Sequence, residues 1–260
     1  MTRGSSLLPR EHGAYAELAF PLVTGLLVAP GAAAAWAFAG SAVAWFLLHE
    51  PVAILTGRRG RRLQGSLGRA ARVRGVWLAA LGTVVGAVAV LLAPPAGRVA
   101  VLAPLGLSIV MVPVVLRGRQ KTVWAEFVIV AAFAAMVLPM AVSGGASWRY
   151  AWQAALVWFL SFVLGTVAVH AIKARHKQVS RAVWTISATP GLAAALIGGA
   201  IGAVVWDLLE PLVAVAVVPP ALAVLAVHLI RVHPRRLVRV GWLLTVANVV
   251  TLALLVAVEW

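Results

Sequence analysis

Seven carboxylates and six histidines are the groups in this 260-residue chain that could carry acid–base chemistry, and most stand in apolar surroundings. Glu17 lies in Ala-Tyr-Ala-Glu-Leu-Ala-Phe, His49 and Glu50 in Leu-Leu-His-Glu-Pro, Glu126 in Trp-Ala-Glu-Phe-Val, and His170 in Ala-Val-His-Ala-Ile. A charge in such a stretch must be paired, neutralised or hydrated, because bare it is expensive there. His49, Glu50, His170, Glu17 and Glu126 are therefore the candidate catalytic groups, as general acids and bases or as a proton relay. A second set suits an anionic or polar head group, since guanidinium and ammonium groups neutralise such a head directly. It comprises Arg10, Glu11, His12 and Tyr15, then Arg58, Arg59 and Arg62, then Lys173, Arg175 and His176. His170, Lys173 and Lys177 recur at helical spacing, which puts them on one face. With no Cys, thiolate chemistry, thiolate metal sites and disulfides are excluded. The spacings match no zinc or di-metal motif, no Asp-rich box, no Walker loop and no nucleophile elbow. No metal ligand is assigned on these grounds, and the cofactor stays open.

The elements that must position these groups are membrane helices. The chain is 63% hydrophobic and 11% charged, with a mean hydropathy of +0.99. A soluble domain is about half apolar and about a quarter charged. Apolar stretches near bilayer-spanning length fall at 13–30, 33–56, 75–93, 99–116, 123–142, 150–172, 183–205, 211–230 and 240–258. The expectation is an all-α, polytopic helical membrane protein of nine transmembrane helices, with residues 1–260 as a single transmembrane domain. Between these stretches, 20 of the 22 basic residues fall on one side, and only Arg98 and Arg149 on the other. Lys and Arg concentrate in cytoplasmic loops, so the N-terminus is placed inside and the C-terminus outside. The net charge of +15 is then a matter of topology and of contact with anionic lipid, and nucleic acid is not an expected partner. A multi-pass protein of the cell's inner (plasma) membrane is the implied localisation. Glu11, His12 and Glu17 interrupt what a cleaved export signal would need, so the first stretch is read as a retained span. Residues 57–74, the longest interval between spans, read as an arginine-rich loop. Its arginines serve either as orientation determinants or as direct contacts to a substrate. The candidate groups all lie in the cytoplasmic third, which predicts a cavity open to that side and walled by spans one, two, five and six. The polar positions also repeat at an offset of four spans, with Glu17 matching Glu126.

Pro9-Arg10-Glu11-His12-Gly13-Ala14-Tyr15, followed by His49-Glu50-Pro51 and Gly57-Arg58-Arg59, resembles the YwiC-like family of bacterial integral membrane proteins, over the whole chain. That resemblance implies no particular reaction. The nine-span layout, with polar inner loops after spans two and six, is similar to the UbiA superfamily of intramembrane prenyltransferases and implies a UbiA-like bundle. In that superfamily Asp-rich motifs in those loops hold Mg²⁺ and a prenyl diphosphate. Here the corresponding stretches read His-Glu-Pro…Gly-Arg-Arg-Gly-Arg-Arg and His-Ala-Ile-Lys-Ala-Arg-His-Lys, without Asp, so the topology carries over and the catalytic residues do not, with Mg²⁺ left as an open cofactor. Three functions stay open. One is an enzyme or binding protein for a hydrophobic or isoprenoid-type small molecule with an anionic or polar head. The second is a proton-coupled transporter or exporter with Glu17, Glu50 and Glu126 as relay groups. The third is a membrane assembly subunit whose protein partners are unknown.

Overall fold

In a computed structural model of the chain, residues 7–8, 12–118, 122–177, 183–230, 232–233 and 236–259 are described. Among them there are only helices and connecting turns. In chain order the helices are α1 (His12–Val28), α2 (Ala33–Leu55), α3 (Arg61–Leu92), α4 (Pro95–Ala100), α5 (Leu102–Leu116), α6 (Val123–Ala134) and α7 (Val137–Ser143). There follow α8 (Trp148–Lys177), α9 (Val183–Val205), α10 (Pro211–Ala216), α11 (Val218–Leu229) and α12 (Leu237–Glu259). The pairs α4–α5, α6–α7 and α10–α11 each make one span, so the nine apolar stretches of the sequence are all helical. Eight are long and apolar enough to cross a bilayer, and α1 is a shorter apolar helix. The chain is a multi-pass helical membrane protein.

Prolines explain the three interruptions. A proline ring crowds the carbonyl four residues before it and lacks the N–H that would bond there. Pro104, Pro139 and Pro220 stand four residues beyond Ala100, Ala135 and Ala216, which are the last residue of α4, the residue that caps α6 and the last residue of α10. The freed carbonyls need partners in a medium without water. That of Ala135 accepts the Leu138 N–H at 3.1 Å. That of Ala216 accepts from the Thr251 hydroxyl on α12 at 2.8 Å, in a fully buried position. Pro21, Pro51 and Pro190 lie inside helices that run through them, so a proline alone does not enforce a break. Thr251→Val should therefore cost about 1 kcal/mol, the scale of interhelical hydrogen bonds in membranes, read as a lower SDS-unfolding midpoint. Thr251→Ser should keep most of that stability.

The arginine-rich stretch corrects the expectation of a loop over 57–74. Helix α3 begins at Arg61 and runs for 32 residues, about 48 Å at ~1.5 Å per residue, well beyond the hydrocarbon core. Arg, Leu, Gln and Ala are strong helix formers, and Arg61, Arg62, Arg69 and Arg72 all point away from the bundle. The first turns of α3 thus extend the third span past the apolar layer.

Helix α8 is central, touching α6, α7, α9, α10, α11 and α12, while α1 is wedged among α2, α6, α7, α8 and α12. The largest core joins Val137 and Leu138 of α7, Trp158 and Phe162 of α8, Val213 of α10 and Leu255 of α12. A second joins α1, α2, α3 and α7 around Leu22, Phe38, Ala89 and Met140. Helix α3 packs on α2 and leaves Trp77 and Leu91 more than 70% exposed. Large apolar side chains outside and polar pairs inside are the pattern a bilayer demands.

Candidate functional site

Glu50 is placed by the end of α2. The helix closes on Gly57 at φ +72°, with the Gly57 N–H bonded to the Ile54 carbonyl (3.0 Å) and the Arg58 N–H to the Ala53 carbonyl (3.0 Å). This is a Schellman closure, which favours glycine because the residue after the cap is left-handed. Gln64 Nε2 adds a bond to the Leu55 carbonyl at 2.7 Å. The reversal carries Arg59 back over the last turns of α2. Its Nε donates to Glu50 Oε1 at 2.9 Å and its Nη2 to Oε2 at 2.5 Å. Glu50 is 1% exposed, so this two-pronged pair is the neutralisation that its burial requires.

Glu126 sits in the first turn of α6. The Thr122 hydroxyl accepts the Ala125 N–H at 3.3 Å and caps that helix. Free N–H groups and the helix dipole favour a carboxylate there. Across the α6–α8 contact, Glu126 Oε2 lies 2.7 Å from His170 Nε2, a single hydrogen bond whichever partner holds the proton. One turn further along α8, Arg175 Nη2 is 2.9 Å from the His228 ring Nδ1, and its Nη1 donates to the His228 carbonyl at 3.3 Å. That contact ties α8 to α11, so Arg175 is engaged with a histidine that the sequence did not connect to it.

Beneath the carboxylates runs an aromatic contact series. Tyr15 of α1 meets Phe46 of α2 edge-on at 5.0 Å, and Phe46 meets Phe133 of α6 at 5.9 Å. Phe46 lies one turn deeper than Glu50, and Phe133 two turns deeper than Glu126. All three rings are half-buried.

Of the residues singled out from the sequence, the structure pairs Glu50 with Arg59 and Glu126 with His170, and gives Tyr15 an aromatic neighbour. Glu17, His49 and Arg58 are half-buried, while Arg62 and Lys173 are exposed. Arg10 and Glu11 lie outside the described residues, as do the side chains of His12 and His176. Helix α1 contacts α2, and α6 contacts α8. Trp158 was absent from the candidates, yet its indole N–H bonds to Thr24 on α1 at 2.9 Å. Only its position in an apolar stretch could have signalled it.

The donor set does not fit the Mg²⁺ that a UbiA-like reading would imply. Magnesium wants carboxylate oxygen and water. The turn after α2 presents Arg58 and Arg59, the last turns of α8 carry Lys173 and Arg175, and the nearby carboxylates Glu50 and Glu126 already face Arg59 and His170. Among the described residues no three His, Asp or Glu side chains are grouped to hold a metal ion.

Compared with known proteins, residues 8–142 match the family model described as YwiC-like protein. That is just over half of the chain, so the match ends near the fifth span and does not extend over all nine. A search of curated proteins and a search of solved structures each find no match.

Proposed function

The chain belongs to the YwiC-like family, and from that premise we propose that it binds and transforms a hydrophobic molecule with an anionic or polar head, in a UbiA-like, nine-span bundle whose site faces the cytoplasm. The observation that carries this reading is the layering between α1, α2, α6 and α8. A half-buried aromatic series, Tyr15, Phe46 and Phe133, underlies the charged pairs Glu50–Arg59 and Glu126–His170. Apolar rings below charged pairs suit an amphiphile, its tail against the rings and its head at the charges. Glu126 orients the His170 imidazole, as a general base needs. Arg58 and Lys173 supply positive charge for the head, and an anionic head competes with Glu50 for Arg59. The one-sided distribution of 20 basic residues supports the cytoplasmic orientation and a place in the inner membrane.

Native mass spectrometry and turnover assays with an isoprenoid diphosphate and an isoprenoid quinone precursor test the reading. His170→Ala should lower turnover by about 10²–10⁴-fold, the usual contribution of a positioned acid–base group, while leaving binding nearly unchanged. Arg58→Gln with Lys173→Gln should do the reverse and weaken binding. Neither binding nor turnover across that panel would overturn it.

A second reading is favoured by the proline interruptions of the fourth, fifth and eighth spans, since transporters build their sites from broken helices. In it Glu17, Glu50 and Glu126 relay protons, with His49 as the switch. A pH-driven flux in proteoliposomes that Glu50→Gln abolishes would select this reading over the first.

A further inference from the structure

The α11–α12 corner carries a second polar site, on helices other than those that hold the Glu50–Arg59 and Glu126–His170 pairs. A groove of about 350 Å³ opens there, lined by the polar His233, Arg236 and Arg239 and by the apolar Val227, Ile230 and Leu243. Arg236 immediately precedes α12 and Arg239 lies in its first turn, three residues on. Among the described residues neither guanidinium has a hydrogen bond or ion pair, in contrast to Arg59, Arg98, Arg149 and Arg175. His228, next to the groove, accepts from Arg175 of α8, whose guanidinium brings more positive charge to this corner. Below the arginines the surface turns apolar. Ile230 and Leu229 are more than 70% exposed, and Leu243 of α12 adds to the apolar lining.

Two unpaired guanidiniums above an apolar, outward-facing wall form a pattern with one complementary ligand in a bilayer. We infer that this groove binds one anionic glycerophospholipid, its phosphodiester between Arg236 and Arg239 and an acyl chain along Ile230 and Leu243. Basic pockets between transmembrane helices hold such head groups. A free phosphate would use the arginines and leave the apolar wall without a role. The groove stands apart from the proposed substrate site: it lies on different helices, and its readout is lipid retention.

The test uses the full chain, taken up in vesicles of equimolar phosphatidylglycerol and phosphatidylcholine, extracted gently and examined by native mass spectrometry for the tightly held lipid. The wild-type protein should favour phosphatidylglycerol by about thirtyfold, the preference expected of two arginines beside an anionic lipid. Arg236→Gln with Arg239→Gln should bring that preference near parity, and Arg236→Lys with Arg239→Lys should retain most of it. Arg69→Gln with Arg72→Gln, exposed on α3, should match the wild type. Parity in the wild-type protein, or an unchanged preference in the double-glutamine variant, would overturn the inference. So would displacement of the retained lipid by inorganic phosphate, which would mark a site for the free anion. The wild-type measurement stands on its own if the double-glutamine variant does not fold.

Discussion

Arg59→Ala is expected to destabilise the protein by about 3–5 kcal/mol, the cost of leaving one partner of a buried ion pair without the other. The size follows from Glu50, which is 1% exposed and meets Arg59 through both oxygens. Removing the guanidinium leaves a carboxylate that must either stay charged in a poorly solvated place or take up a proton. Arg59→Lys should fall between, because a lysine keeps the charge and loses the two-pronged geometry. Glu50→Gln with Arg59→Gln removes both charges at similar volume and should recover much of the loss. Thermal unfolding in detergent for the four proteins checks this ordering. If Arg59→Ala melts with the wild type, the pair contributes nothing and Glu50 has another source of stabilisation.

Trp158→Ala should cost about 3 kcal/mol, at ~24 cal/mol per Å³ of a cavity on the order of 100 Å³ or more. Trp158 is fully buried, stacked on Phe20 at 5.3 Å and on Phe162 at 5.5 Å. Its N–H reaches Thr24 Oγ1, whose own hydroxyl donates to the Phe20 carbonyl at 2.9 Å. In a bilayer the lipid chains are as apolar as the core, so transfer from water supplies little here. The loss is van der Waals contact, together with the hydrogen bond that ties α8 to α1. Trp158→Phe should cost only about 1 kcal/mol, since the ring contact survives and one hydrogen bond goes. SDS-unfolding midpoints separate the two variants. Equal midpoints would mean that the contact volume counts for nothing.

The three interrupted spans show how far local sequence reaches. Pro104, Pro139 and Pro220 mark the breaks because a proline acts on its own carbonyl at i−4, a distance any reader of the chain can count. Whether the Ala216 carbonyl is then satisfied depends on Thr251, 35 residues away and on another helix. The start of α3 was misread for a different reason. The arginines of 61–74 suppress hydropathy without opposing helix formation, so an apolar-window reading ended the helix where only the bilayer ended.

The candidate site divides along the same line. Glu50–Arg59 was nearly legible, because Gly57 lies between them and a glycine closure folds nine residues back on themselves. Glu126–His170 spans 44 residues and Trp158–Thr24 spans 134, and no spacing rule connects either pair. By itself the sequence determined the solvent, the nine helical stretches and the concentration of ionisable groups toward one end, since hydropathy and charge act through composition over about 20 residues. The tertiary structure alone decided which helices are neighbours, and hence which carboxylate faces which cation. The interdigitation of side chains between helices distant in the chain sets that choice, and each apolar stretch, read separately, is as compatible with one neighbour as with another.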